Sequence, residues 1–229
     1  MVVVGSRVFA GAGAAALFLA AGVASAGVSP ARLVSSALAK AHAQSSVHYL
    51  ASQTSSGMAV TIAGDAATDR GIQHITYRKG GRLGHVTVMV EANTAYVRGD
   101  AFTLANYMRI PASAATAWDG KWLSLASSAP DYKTVAAGVR LASTLDELKM
   151  PQPFRSVGAL TRHGARLVGI ESHFQRAGHT VSETLYIDVA RSLPVEQVGR
   201  SAGITLRATF SRWNERVSFS PPASAIPIR

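Results

Sequence analysis

The sequence predicts an α+β domain in which one antiparallel β-sheet carries two amphipathic helices on a shared face. Segments of alternating apolar and polar residues recur along most of the chain and are joined by turns. This arrangement argues against βαβ units and a parallel sheet. Two segments, 31–42 and about 131–149, instead repeat apolar residues at helical spacing. Each helix must bury its apolar stripe, and an open sheet offers both helices the same face.

The central part of the chain reads as a β-hairpin followed by a short helix. Val86, Val88 and Val90 share one side of the first strand, whereas His85, Thr87 and Glu91 share the other side. After a turn at 92–94 and a second strand, the apolar spacing changes to three residues, with Asp100 as the predicted N-cap. The stretch 118–122 then turns the chain back into an apolar strand at 122–125.

This order of hairpin, Gly99-Asp100, short helix and Trp118-Asp-Gly-Lys-Trp122 resembles the secreted lipid-binding half-barrels of actinobacterial envelopes. These are the LppX/LprG lipoproteins and their LolA-like relatives, in which a "vyvkGDa" strand runs into a helix and a "gkWv" strand follows. Near the C-terminus, Leu185-Tyr-Ile-Asp188 and Ser192-Leu-Pro-Val195 are also similar to that family. The resemblance covers roughly 45–228 and implies a curved antiparallel β half-barrel with helices packed on its concave face.

The first helix has clear start signals, with Ser29 as N-cap and Pro30 at the first helical position. The second helix is predicted to run from about 131 to 149 and to end before Pro151. Further strands are predicted by their alternation and by the turns between them, including a turn at 64–71. Outside the central hairpin these strands are 47–51, 58–62, 72–78, 166–172, 180–189, 193–198, 204–210 and, by resemblance, 209–215.

Residues 1–26 have the three parts of an export signal. Arg7 supplies the positive charge, 8–23 is a small and apolar run, and 24–26 is an Ala-Ser-Ala cleavage site. A membrane helix is the alternative, although the run is shorter than the roughly 20 residues that span a bilayer. We expect a secreted or envelope protein with one domain over 27–229.

The absence of cysteine excludes disulfides and also the acyl anchor of a lipoprotein, which is attached to a cysteine after the signal. The protein is therefore expected to be secreted freely or held by an uncleaved signal. The formal net charge of +10 favours contact with anionic surfaces such as phospholipid headgroups. Nucleic acid is not an expected partner, because the arginines are scattered along strands and no recognition helix accompanies them.

No pattern in the sequence indicates an enzyme, a metal site or a cofactor. His163, His173 and His179 are the one grouping of histidines, and their spacings of ten and six residues fit no helix-borne pair of ligands. Adjacent Asp146 and Glu147 point to different sides of a helix, so they do not form a catalytic pair.

The functional prediction therefore rests on shape. A curved sheet capped by helices leaves an apolar cleft between them, and acyl chains of a lipid or lipoglycan are the expected ligands. A dry core made of the same residues is the competing interpretation. An envelope sensor or regulator that binds a partner protein through this fold is the alternative function, and a secreted hydrolase is the third class. The predicted cleft lining is Val86, Val88, Val90, Val135, Val139 and Ala142.

Overall fold

The computed structural model describes residues 28–162 and 164–228, so the predicted signal at 1–26 and His163 lie outside the described residues. The five helices are α1 (Pro30–His42), α2 (Ala101–Asn106), α3 (Ala112–Ala117), α4 (Tyr132–Ala137) and α5 (Leu141–Asp146). The twelve strands are β1 (Ser46–Ser55), β2 (Met58–Ala67), β3 (Arg70–Lys79), β4 (Arg82–Glu91), β5 (Thr94–Gly99), β6 (Leu123–Ala126), β7 (Phe154–Arg162), β8 (Ala165–Arg176), β9 (His179–Asp188), β10 (Leu193–Ser201), β11 (Ile204–Ser211) and β12 (Ile226–Pro227).

All twelve strands form one open, curved sheet in the order β12-β6-β5-β4-β3-β2-β1-β11-β10-β9-β8-β7. Every neighbouring pair is antiparallel except β12 and β6, which run parallel. Two meanders, β2 to β6 and β7 to β11, flank β1, which pairs with β2 on one side and β11 on the other. The predicted α+β fold with a curved antiparallel β half-barrel is confirmed.

Strand alternation places one set of side chains on the concave face of the sheet and the other set on the convex face. On β4, Val86, Val88 and Val90 are buried on the concave side, while His85 is exposed and Thr87 is half-buried. The helices pack on the concave side, where α1 and α5 contact one another and α4 contacts β4 and β5. The helices therefore cover the inside of the half-barrel, as the sequence predicted.

Both predicted N-caps are confirmed. The Ser29 hydroxyl accepts a hydrogen bond from the backbone N–H of Arg32 at 3.4 Å, and Pro30 begins α1. The Asp100 carboxylate accepts one from the backbone N–H of Thr103 at 2.8 Å. Such caps satisfy N–H groups that the first helical turn leaves without partners. The sequence therefore predicts correctly where these two helices begin.

The single helix predicted for 131–149 is wrong, because the chain breaks there into α4 and α5. Gly138 ends α4, and Arg140 is extended and forms a parallel β-bridge with Ala67. In a continuous helix the Gly138 carbonyl would bond within the helix. Here the Tyr49 hydroxyl donates to that carbonyl instead. Contacts with the sheet therefore replace helical hydrogen bonds over Gly138 to Arg140, which we call the link.

Three details of the strands also differ from the sequence prediction. The turn expected at 64–71 is shorter, since β2 continues to Ala67 and Gly64 lies inside it. Gly64 makes room for an aromatic ring, because a Cβ at this position would lie 2.3 Å from Tyr49 Cζ.

The strand expected at 209–215 ends at Ser211, where Arg212 and Asn214 take positive φ angles of 47° and 64°. The sequence prediction did not include edge strand β7, because six of its nine residues are exposed and residues 155–159 show no alternation.

Candidate functional site

The five valines of the predicted cleft lie in one closed cluster on the concave face. Val86, Val88 and Val90 of β4 pack in it with Val135 of α4 and Val139 of the link. Their exposed fractions lie between 0 and 2%. Neighbouring side chains therefore cover these five residues almost completely. They form a packed core here, and a ligand reaches them only when the helical cover moves.

The placement of Ala142 in the predicted cleft is wrong. Ala142 is exposed on α5, whereas Leu141 and Leu145 of the same helix are buried. The extended link between α4 and α5 resets the helical phase, so the i, i+3, i+4 spacing that joined Ala142 to Val139 no longer applies. The inward side of α5 is formed by Leu141, Thr144 and Leu145.

The concave face holds two separate apolar clusters. The first joins one half of the sheet to α2, α3 and α4, and the second joins the other half to α1 and α5. Ile62 of β2 packs against both clusters. At the boundary, Tyr49 belongs to the second cluster, and its hydroxyl bonds to the Gly138 carbonyl and lies 3.1 Å from Gln73 Oε1. Burial raises the pKa of Tyr49 above its ordinary value, so this hydroxyl stays a hydrogen-bond donor.

Between the two clusters, part of the concave face remains accessible to solvent. Gln53 of β1 pairs in register with Leu206 of β11 and with Val60 of β2. Leu206 is 36% exposed, and five further residues on this part of the face are half-buried, namely Ala51, Gln53, Met58, Ile62 and Ile204. The accessible surface is mainly aliphatic, which suits a hydrocarbon ligand. We call these residues the central strip: Ala51, Gln53, Met58, Ile62, Ile204 and Leu206.

A carboxylate borders the central strip. Gly199 of β10 pairs with Leu206 on one side and with Glu183 of β9 on the other. A Cβ at Gly199 would lie 3.7 Å from Glu183 Cγ and 3.8 Å from Leu206 Cβ, so both side chains flank this glycine. Burial raises the pKa of Glu183, Arg176 opposes that rise, and Glu147 adds to it. The polar edge of the strip therefore contains an acid that is easier to protonate than usual.

The segment after α5 crosses the sheet beside Glu183. Gln197 Nε2 donates to the Glu147 carbonyl oxygen at 3.5 Å, and the Ser172 hydroxyl donates to the Pro151 carbonyl oxygen. These bonds attach the segment to β10 and then to β8. It therefore covers the concave face over β8 to β10 but leaves the central strip on β1, β2 and β11 uncovered.

A cavity of about 220 Å³ lies where α1 meets the start of β8 and the end of β9. Its lining is largely apolar and includes Leu33 of α1, Val168 of β8 and Ile187 of β9. Arg166 and Asp188 lie at the same cavity and supply its charged groups. It lies at the opposite end of the strands from the tips that carry Ile204 and Met58.

The described residues contain no group of three His, Asp or Glu side chains placed to hold a metal ion. Of the histidines singled out from the sequence, His173 contacts Glu171, with 3.0 Å between Nε2 and Oε2, and His179 is exposed at the start of β9. Hydrogen bonds from Arg155, and more weakly from His173 and Ser182, lower the pKa of Glu171. This group on the convex face is a set of cross-strand pairs between β7, β8 and β9.

None of the helices within 28–162 and 164–228 has the length and apolar character needed to cross a membrane.

Comparison with solved structures identifies the fold. The crystal structure of LprF from Mycobacterium bovis has a TM-score of 0.57 and 12% sequence identity, covering 85% of this chain and 97% of LprF. That of the lipoprotein LppX from Mycobacterium tuberculosis has a TM-score of 0.52 and 15% identity, covering 83% of this chain and 99% of LppX. No protein-family profile matches the chain, and no curated protein sequence matches it significantly. The chain has the LolA-like half-barrel fold of the LppX/LprG type.

Proposed function

We propose that the protein is an exported, non-enzymatic lipid-binding or carrier protein of the cell envelope. Its ligand would be the acyl chains of a lipid or lipoglycan, held on the concave face. The observation that carries this proposal is the central strip, a solvent-accessible and mainly aliphatic surface inside the half-barrel. Burial of each acyl methylene against such a surface would contribute about 0.8 kcal/mol.

The two apolar clusters suggest how a long chain would be accommodated. The chain would first lie along the central strip, where Ile62 touches both clusters. Deeper entry would follow displacement of the helical cover, of which the link is held by few hydrogen bonds. In addition to the Tyr49 contact, Arg140 Nη2 donates to the Ala92 carbonyl at 2.8 Å and to the Tyr132 hydroxyl at 2.7 Å. The predicted lining of five valines is thus proposed as the interior of an opened state.

Export is part of the proposal and rests on the sequence of 1–26. A cleaved signal would begin the mature chain at or near Gly27, and the absence of cysteine leaves no site for a lipoprotein acyl anchor. N-terminal sequencing of protein from culture supernatant tests this point. A full-length species found only in membranes would show that the signal is retained as an anchor.

Ligand binding is tested by organic extraction and native mass spectrometry of the purified protein, followed by uptake of a fluorescent fatty acid. We expect a co-purified or exchangeable lipid. Absence of both, with the protein folded, would contradict the carrier function. Capture of an envelope protein under the same conditions would instead support the regulator alternative.

A pair of variants locates the site on the sheet. Leu206→Glu places a charge in the central strip, and Leu50→Glu places one on the convex face of the adjacent strand β1. Both leucines are exposed, at 36% and 49%, so neither change should unfold the domain. We expect a loss of fatty-acid uptake for Leu206→Glu and none for Leu50→Glu. Equal uptake by the two variants would contradict binding on the strip.

A further inference from the structure

Four hairpin tips lie together at one end of the sheet. Because neighbouring strands are antiparallel, the turns β1–β2, β3–β4, β8–β9 and β10–β11 all point the same way. The central strip reaches this end through Met58 and Ile204, which begin β2 and β11. We call it the tip end. A ligand leaving the strip in this direction would meet whatever surface the tip end faces.

The four hairpin turns of the tip end are basic and contain no acidic residue. The four turns with two flanking residues on each side, 54–59, 78–83, 175–180 and 200–205, contain no Asp or Glu. Their five basic residues are Arg78, Lys79, Arg82, Arg176 and Arg200. All of these except Arg176, which is half-buried, are exposed.

The opposite end of the sheet has a different charge balance. Its turns with the same flanks, 66–71, 90–95, 161–166 and 187–194, contain three acidic residues, Asp69, Glu91 and Asp188, and four basic residues, Arg70, Arg162, Arg166 and Arg191. There, Arg70 pairs with Glu91 at 2.7 Å and Arg191 lies 3.7 Å from Asp188. The positive charge is therefore concentrated at the tip end by the topology, since its residues come from both halves of the chain.

Apolar side chains accompany these charges. Leu83 is 50% exposed and directly follows Arg82, whose guanidinium lies 4.4 Å from the ring centroid of Phe102. Cationic groups beside exposed aliphatic groups suit the boundary between headgroups and acyl chains of a bilayer. Nucleic acid fits this surface less well, because the tips offer it no stacking platform or groove-reading element.

We propose that the tip end docks on an anionic lipid bilayer, with the hairpin tips in the headgroup layer and the central strip open toward the membrane. Docking itself depends only on this surface, whereas its use for lipid transfer rests on the proposed function. The two are therefore separable: a protein that binds anionic vesicles without taking up fatty acid would retain the docking proposal and lose the carrier function.

Co-sedimentation with vesicles tests docking, using phosphatidylcholine alone or with about one third phosphatidylglycerol. We expect binding to require phosphatidylglycerol and to weaken when salt is raised, because the exposed charges are screened. The variant Lys79→Glu/Arg82→Glu/Arg200→Glu should lower the partition coefficient by about two orders of magnitude. Its matched control, Arg32→Glu/Lys40→Glu/Arg191→Glu, reverses three exposed charges away from the tip end and should retain most binding.

Equal losses in the two triple variants would show that net charge, and not the tip end, determines binding, and would overturn the proposal. A measurement that leaves the basic residues unchanged guards against misfolding of a variant. Since the chain has no cysteine, a single probe can be attached at Ser56→Cys on a tip or at Asn93→Cys at the opposite end. We expect an environment-sensitive dye to shift to the blue on anionic vesicles only at position 56. A shift at position 93 instead would also overturn the proposal.

Discussion

The hydroxyl of Tyr49 on β1 donates a hydrogen bond to the carbonyl oxygen of Gly138, 89 residues away, at the point where the helical cover changes from α4 to α5. This bond joins the floor of the half-barrel to its cover at the boundary between the two apolar clusters. It is therefore a place where one side chain affects how easily the cover opens.

We expect Tyr49→Phe to destabilise the domain by about 1–3 kcal/mol, because the part-buried Gly138 carbonyl would lose its partner. Amide hydrogen exchange across the link should quicken more than exchange in the sheet. Chemical denaturation and exchange mass spectrometry measure the two effects. Tyr96→Phe is the control, since Tyr96 lies half-buried on the convex face. Equal effects from the two variants would show that the bond does not hold the link.

The packing around Val139 makes a second prediction. Val139 is completely buried, so Val139→Trp should overpack the first cluster and destabilise the lipid-free protein by about 1–3 kcal/mol or more. Ala142→Trp on the exposed side of α5 should change stability little. Thermal denaturation compares the two variants. Unchanged stability of Val139→Trp, together with reduced fatty-acid uptake, would mean that an open cleft already exists beside this residue.

Glu183 makes a prediction about pH. Its pKa is higher in the folded state than in the unfolded state. Between these two pKa values the native state binds more protons than the unfolded state. The stability of the protein therefore falls as pH rises through that interval. Glu183→Gln removes the ionised form and should therefore stabilise the protein at neutral pH but not in acid well below the pKa of the unfolded state. Denaturant titrations across mildly acidic and neutral pH measure this difference.

Glu171 provides the comparison of opposite sign. Its pKa is lowered, chiefly by the hydrogen bond from Arg155. The ionised form therefore stabilises the protein at pH values above the unfolded-state pKa. This stabilisation is lost as pH falls through the folded-state pKa. Glu171→Gln should therefore destabilise the protein at neutral pH and have little effect in strong acid. If both glutamine variants responded to pH in the same direction, burial of Glu183 would not be the dominant cause.

Most of the sheet could be predicted from sequence because one of its faces is buried and the other is exposed to solvent. Strands such as β4 consequently alternate, and hairpin turns carry their own signals. Edge strand β7 could not be predicted in this way, because a strand exposed on both faces has no alternation. The break between α4 and α5 also left no local signal beyond Gly138. The contacts that accompany it, from Tyr49 to Gly138 and from Ala67 to Arg140, join residues far apart in sequence and so depend on tertiary structure.

The candidate site was predictable only in part for the same reason. Alternation correctly assigned Val86, Val88 and Val90 to the concave face, and it also assigned Met58 and Ile62 to one face of their strand. Periodicity does not say which part of that face the helices leave uncovered. The central strip follows from the path of the segment after α5, which depends on contacts of Glu147 and Pro151 with distant strands.

The position of β1 between β2 and β11 has a consequence for the order of folding. The β1–β2 hairpin is local and can pair early, but residues 48–54 must wait for residues 205–211 before their other edge is covered. Pairings so distant in sequence form slowly. Until β11 has been made, β1 offers an unpaired edge to other chains. A chain truncated before residue 204 would keep that edge exposed and should aggregate, even though the meander from β2 to β6 is complete.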